Sequence, residues 1–261
     1  MIVDIHTHIF PPQFVEDRAR LVEHDAQFGA MYGAENAIMA TAEDLRESMR
    51  TAGVDVSVVC GFWWSDPALA EEHAEYLGDT AAQSDGSMVA FVPTFSPPPR
   101  AIGIGEVRLE DSADVPAGDH PLLVHCSEDI GHLYPGKGGG LTPGGVWRLL
   151  KSQPDARVIA AHWGAGFPFF AQMPEVARLL EEDRLLVDTA ASSYLYSPEV
   201  FANAIELMGA HHIAWGSDFP LRSQLTDLAE ARDAIPTDGA RAAILGGNAA
   251  RFLGIEVRNE K

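Results

Sequence analysis

Basic residues are scarce: 18 Lys and Arg stand against 38 Asp and Glu in 261 residues, a formal charge of -20. That shortage argues against a nucleic-acid partner, which is gripped through clustered Lys and Arg, and against docking on an anionic membrane surface. Cysteine is nearly absent. Cys60 and Cys126 lie in apolar runs without CxxC spacing, which excludes a disulfide framework and fits a reducing compartment. No apolar run approaches the length of a membrane span, and the first residues lack the basic and apolar regions of a signal peptide. A cytoplasmic location is therefore expected. No low-complexity linker divides the chain either, so residues 1–261 are read as one domain.

What is present is a regular alternation of short apolar runs and helical stretches. Strands are predicted over 2–7, 54–60, 88–93, 102–109, 122–126, 158–162, 185–188 and 213–215. Helices are predicted over 41–52, 68–83, 143–152, 174–182, 198–208, 223–234 and 239–253, several starting at a Thr, Ser or Pro. Eight strands separated mostly by helices predict an α/β protein of the (β/α)8 TIM-barrel type. Only "TFSPPPRA" joins the third strand to the fourth, and only "EDSADVPAGDHP" joins the fourth to the fifth. Parallel crossovers normally need about a dozen residues and a helix, so both are shortened. Either a loop or a neighbouring subunit covers the barrel there, or the chain as given omits residues, and a homo-oligomer is expected.

The chain opens "MIVDIHTHIF", with Asp4, His6 and His8 at every second position. In a regular strand these three share one face, while Val3, Ile5, Thr7 and Ile9 share the other. An isolated HxH is weak testimony. Further polar residues, however, sit at the carboxyl ends of the other strands: Glu106 in "GIGEVRL", His125 in "LLVHCSE", His162 in "VIAAHWG" and Asp218 in "IAWGSDFP". In a barrel these ends meet on one face. Histidine with carboxylate is the ligand set of zinc, manganese or iron, so a divalent metal is expected, zinc first, as one ion or two. Asp218 is read as a ligand that also accepts a proton, although Ser-Asp after a strand also makes turns and caps. His162 is read as a ligand or as a catalytic group. Glu106 bridges two ions, binds one, or pairs with Arg108.

Taken together, "DIHTHIFPP", "GEVRL", "LLVHCSEDIGHLYPGKG", "AAHWGAGFPFF", "IAWGSDFPL" and "ILGGNAARFLG" resemble the amidohydrolase superfamily, in particular its amidohydrolase-2 (ACMSD-like) group of TIM-barrel metal-dependent hydrolases. The resemblance implies metal ligation by His6, His8, His125 and Asp218. It implies a catalytic or second-metal role for His162, and a position for Glu106 where TatD-like relatives place a bridging carboxylate. No Lys occupies that strand, where other members carry a carboxylated one.

Around this centre, Trp63, Glu128, His132, Tyr134, Lys137 and Trp163 are candidate substrate contacts, with Lys137 placed to meet a carboxylate. The bland alternatives are loop packing and structural turns. Residues from Phe10 to near Met39 look like a lid. A metal-dependent hydrolase of an amide, ester or lactone of a small carboxylic acid is the leading expectation, the metal lowering the pKa of a water from 15.7 toward about 7. Non-oxidative decarboxylation of an aromatic or unsaturated acid is the alternative, and a non-catalytic metal-binding protein is the alternative of another class.

Overall fold

The computed structural model of the chain describes residues 1–256. Its eight strands are β1 (Val3–His8), β2 (Val56–Cys60), β3 (Met88–Val92), β4 (Gly103–Val107), β5 (Leu122–Val124), β6 (Val158–Ala160), β7 (Leu185–Asp188) and β8 (Ile213–Ala214). They pair in sequence order, every pair parallel. The eighth returns to the first through Ile5 N–H to Trp215 O at 3.0 Å, Asp218 N–H to His6 O at 3.0 Å and His8 N–H to Phe219 O at 2.6 Å. The result is the nearly closed (β/α)8 barrel that the apolar runs predict. Among the described residues no helix is long and apolar enough to cross a membrane.

Alternation along the strands sorts the apolar side chains into two layers. Val56, Val58, Leu123, Ile159, Leu186 and Ala214 form one cluster with Phe91, joined by Ala249 and Phe252 of the last helix. Val59, Leu122, Val124, Val158, Leu185, Val187 and Trp215 form the other, packed against Leu45, Leu77, Leu149, Leu179 and Leu228 of the helices. Helix Ala42–Ala52 shows why such a segment starts and stops where it does. Thr41 and Asp44 exchange side-chain and backbone hydrogen bonds in a capping box, and Gly53 ends the helix in the left-handed conformation.

Both crossovers are short in the barrel as well. No helix lies between β3 and β4, and only a single turn, Ser112–Asp114, lies between β4 and β5. The chain covers these gaps itself: Phe95 packs edge-on to Trp63, and Ala101, Ser112 and Val115 are buried.

The segment read as a lid is mostly helical, as Pro12–Glu16, Arg18–His24 and Ala26–Tyr32. Two local expectations change. The last predicted helix is broken into Asp238–Ala242, a wide turn over Ala243–Gly247, and Asn248–Leu253. At that break Gly246 lies so close to Met1 that a Cβ would stand 2.4 Å from its carbonyl oxygen, which no helical side chain tolerates. Finally, the pairing of β1 with β2 shifts register between Asp4 and Thr7. Strict alternation therefore does not run through "DIHTH", and Asp4 does not share the direction of His6 and His8. Its carboxylate accepts from Ser217 N–H, Ser217 Oγ and Gln224 Nε2, the last on helix Gln224–Ala234.

Candidate metal centre and cavity

Six side chains converge where the strands end. His6 and His8 come from β1 and Glu106 from β4, while His125 follows β5 directly. His162 stands two residues beyond β6, and Asp218 lies beyond β8; both have a left-handed backbone, with φ of 57° and 63°. Gly216 lets β8 approach this closely, because a Cβ there would stand 2.8 Å from His6 Cβ.

The donors form two triads, His6 with His8 and Asp218, and Glu106 with His125 and His162. In the first, the Nε2 atoms of His6 and His8 face each other at 3.0 Å, and Asp218 Oδ1 lies 3.7 Å from one and 3.6 Å from the other. In the second, His125 Nδ1–H donates to Glu106 Oε1 at 2.7 Å, and His162 Nε2 is 3.5 Å from the same oxygen. Glu106 links the two, with Oε1 3.9 Å from His6 Nε2 and Oε2 3.8 Å from His8 Nε2.

Two observations make this donor set fit a cation. Two facing imidazole nitrogens hold at most one proton between them, so they cannot both donate to the carboxylates around them, whereas a cation can draw on both lone pairs. His125 Nε2 is also buried without a hydrogen-bond partner. A divalent ion of the type held by nitrogen and oxygen ligands answers both.

The charges are strongly coupled. Burial opposes a charged His6, but Asp188, with Asp218 and Glu106, outweighs it and pushes the imidazole up to about 10. Burial and the neighbouring His6 push His8 down to about 4. Burial and Arg108 likewise bring His125 down to about 4. Glu106 lies well below the ordinary carboxylate range: burial resists ionisation there, but His125 and Arg108 hold the charge.

His8, Glu106, His125, His162 and Asp218 line a cavity of about 500 Å³. Its walls include Tyr32, Phe62, Tyr134, Tyr194 and Leu221, and Arg108 reaches it beside the donors. The Arg108 guanidinium stands 3.4 Å from Glu106 Oε2 through Nε and donates to Gly136 O at 3.1 Å.

Of the substrate contacts expected from sequence, His132 and Tyr134 line this cavity. The other four do not. Trp163 is fully buried in the core, donating to Ser192 Oγ at 2.7 Å and packing on Phe201. Trp63 packs on Phe95 instead, because the shortened crossover after β3 needs cover. Lys137 Nζ is turned back into its own Gly-rich loop, donating to Ile130 O at 3.0 Å and His132 O at 2.9 Å. Glu128, in the same loop, also stands outside the cavity lining.

Sequence reasoning missed Arg108 as a cavity residue, Tyr32 and Tyr194 as walls, and Asp188 as a partner of His6. Only Asp188 carried a usable signal, being the carboxylate at the end of "LLVD".

Residues 147–255 match the family model described as amidohydrolase. No curated protein sequence matches the chain. Among solved structures, the barrel is similar to 5-carboxyvanillate decarboxylase from Sphingomonas paucimobilis, at 16% identity over 98% of this chain and 99% of that one, with a TM-score of 0.69. It is similar also to 5-carboxyvanillate decarboxylase from Novosphingobium aromaticivorans complexed with manganese and a nitrobenzoic acid, at 12% identity over 98% and 96%, TM-score 0.70. A third is a putative 2-pyrone-4,6-dicarboxylic acid hydrolase from Pseudomonas putida, at 16% identity over 98% of each chain, TM-score 0.65. The family match is confined to residues 147–255, while these solved structures, each below 25% identity, share the barrel fold with the chain from end to end.

Proposed function

We propose that the protein is a metal-dependent hydrolase acting on an amide, ester or lactone of a small carboxylic acid. The observation that carries this reading is the pair of donor triads at one cavity with Glu106 between them, which suits one zinc ion or two, with manganese or iron as alternatives. A bound divalent ion supplies Lewis acidity and lowers the pKa of water toward about 7.

The chain's own residues supply the rest. His6, His8, Glu106, His125, His162 and Asp218 hold the ion or ions. Asp218 reaches the cavity and accepts the proton lost by the nucleophile, then returns it to the leaving group. His162, hydrogen-bonded through Nδ1–H to Ala190 O, turns Nε2 toward Glu106; that nitrogen either ligates an ion or, unligated and protonated, donates to the substrate and polarises it. Arg108 meets the substrate carboxylate, the task that sequence assigns to Lys137. Tyr32, Phe62 and Tyr194 confine a flat or apolar body and thin out water around it.

A second reading, decarboxylation, is favoured by the same Arg108 set among aromatic walls, and by the similarity of the barrel to decarboxylases of an aromatic acid. In that case His162 or Asp218 manages the proton delivered to carbon. The deciding experiment screens the zinc- and manganese-loaded protein against lactones, amides and aromatic acids in oxygen-18 water. Label in the product supports hydrolysis. Carbon dioxide release with no label in the remaining organic product overturns it in favour of decarboxylation, and no turnover of any candidate favours a metal-binding protein without catalysis.

A further inference from the structure

Asp188 ends β7 with its side chain fully buried, and its two oxygens have separate partners. Oδ2 accepts from His6 Nδ1–H at 2.8 Å. Oδ1 accepts from the backbone N–H of His162 at 2.8 Å and from that of Ala190 at 3.0 Å. His6 belongs to one triad and His162 to the other. We infer that Asp188 is the positioning residue of both triads, fixing which nitrogen of His6 faces the centre and holding the left-handed turn that aims His162. The inference rests on the metal-dependent reading above.

The physical argument is one of donors and acceptors. An imidazole that gives its Nδ1 proton to a carboxylate keeps Nε2 as its ligand atom, and a carboxylate behind a ligating histidine fixes ring and tautomer together. For His6 that ligand atom is the one 3.0 Å from His8 Nε2 and 3.7 Å from Asp218. On the other side, His162 adopts φ 57°, a conformation that a side chain with a Cβ holds only under tertiary constraint. The bond from its N–H to Asp188, with the ring bond to Ala190 O at 3.1 Å, supplies that constraint.

A carboxylate accepts on both oxygens, whereas an amide has one acceptor and one donor. Asp188→Asn therefore cannot serve both histidines. Two backbone N–H groups hold the amide oxygen against one imidazole, so the amide NH2 turns to His6 Nδ1 and drives the proton to Nε2, where it blocks ligation. A role in folding alone lowers thermal stability and leaves the zinc affinity of the folded protein unchanged.

The test measures zinc binding by competition with a chromophoric chelator, for wild type and D188N, where circular dichroism shows both folded. The expected result is about 10- to 100-fold weaker zinc binding in D188N. Equal affinity overturns the inference while leaving the metal reading intact, and a wild type that takes up no zinc overturns both. If D188N does not fold, nitrogen-15 histidine NMR of the zinc-loaded wild type decides instead. A His6 proton on Nδ1 supports the inference, and one on Nε2 overturns it.

Discussion

Among the residues facing the cavity, Arg108 is the one whose charge a substrate carboxylate would meet, and its removal separates substrate binding from metal binding. Arg108→Gln is expected to weaken binding of a carboxylate inhibitor by about 10- to 100-fold, the worth of a hydrogen bond to a charged group, while metal content stays the same. Titration calorimetry beside metal analysis checks this, and a fall in metal content instead would make Arg108 part of the centre's support. A second residue is informative through pH. Burial pushes Asp227 up to about 7 from an ordinary 3.8, against the hydrogen bond from Trp215 Nε1 and the nearby Arg222. Because the folded value exceeds the unfolded one, the native state holds this proton more tightly. The stability it contributes is complete at acid pH and is lost as pH rises between the two values. From about pH 4 to about pH 7, wild type should lose roughly 2–4 kcal/mol relative to Asp227→Asn. Urea unfolding at each pH checks it; parallel curves count against it. At this scale the donors were legible because each stands at the carboxyl end of an apolar run, where a barrel collects its chemistry. Lys137 and Trp163 stand outside the cavity lining, because position along the chain does not reveal which way a loop side chain turns.

Elements answer to local rules wherever a local signal exists. The Thr41 and Asp44 capping box is readable in sequence and present in the structure, so Thr41→Ala should cost about 1 kcal/mol, seen as a lower urea midpoint. Tertiary contacts overrule such rules elsewhere. The register shift in β1 separates Asp4 from His6 and His8, and the approach of Gly246 to Met1 breaks a helix whose sequence pattern is continuous. The turn after β6 buries Trp163 beneath Phe201, not beside the substrate. Trp163→Ala is accordingly expected to destabilise the fold by about 3–5 kcal/mol, the cost of emptying a large core site. Thermal unfolding checks this, and an unchanged midpoint with impaired substrate binding would restore the residue to the cavity.

For the whole molecule, the donors meet only because β8 closes on β1, so metal and barrel stability are linked. Zinc binding to the native state should raise the thermal midpoint progressively with zinc concentration, and chelation should remove activity that zinc or manganese restores. A midpoint indifferent to zinc, together with activity that survives verified metal removal, contradicts the proposed function. The shortened crossovers suggested a neighbouring subunit as cover, but Phe95, Ala101 and Val115 provide cover from within the chain. A homo-oligomer is thus a separate proposal, supported if light scattering gives a multiple of one chain's mass and opposed if it gives that mass alone.

Apolar period and strand spacing are encoded locally, so the sequence by itself determined the eight strands, their parallel order, the two bare crossovers and which six side chains converge at the strand ends. Side-chain direction depends on partners distant in the chain. Only the tertiary structure decided that Asp4 turns away from the histidines, that Asp188 ties His6 to His162, and that Arg108 rather than Lys137 reaches the cavity. Each of those choices is fixed by a hydrogen bond or a close approach that exists only after the barrel has closed.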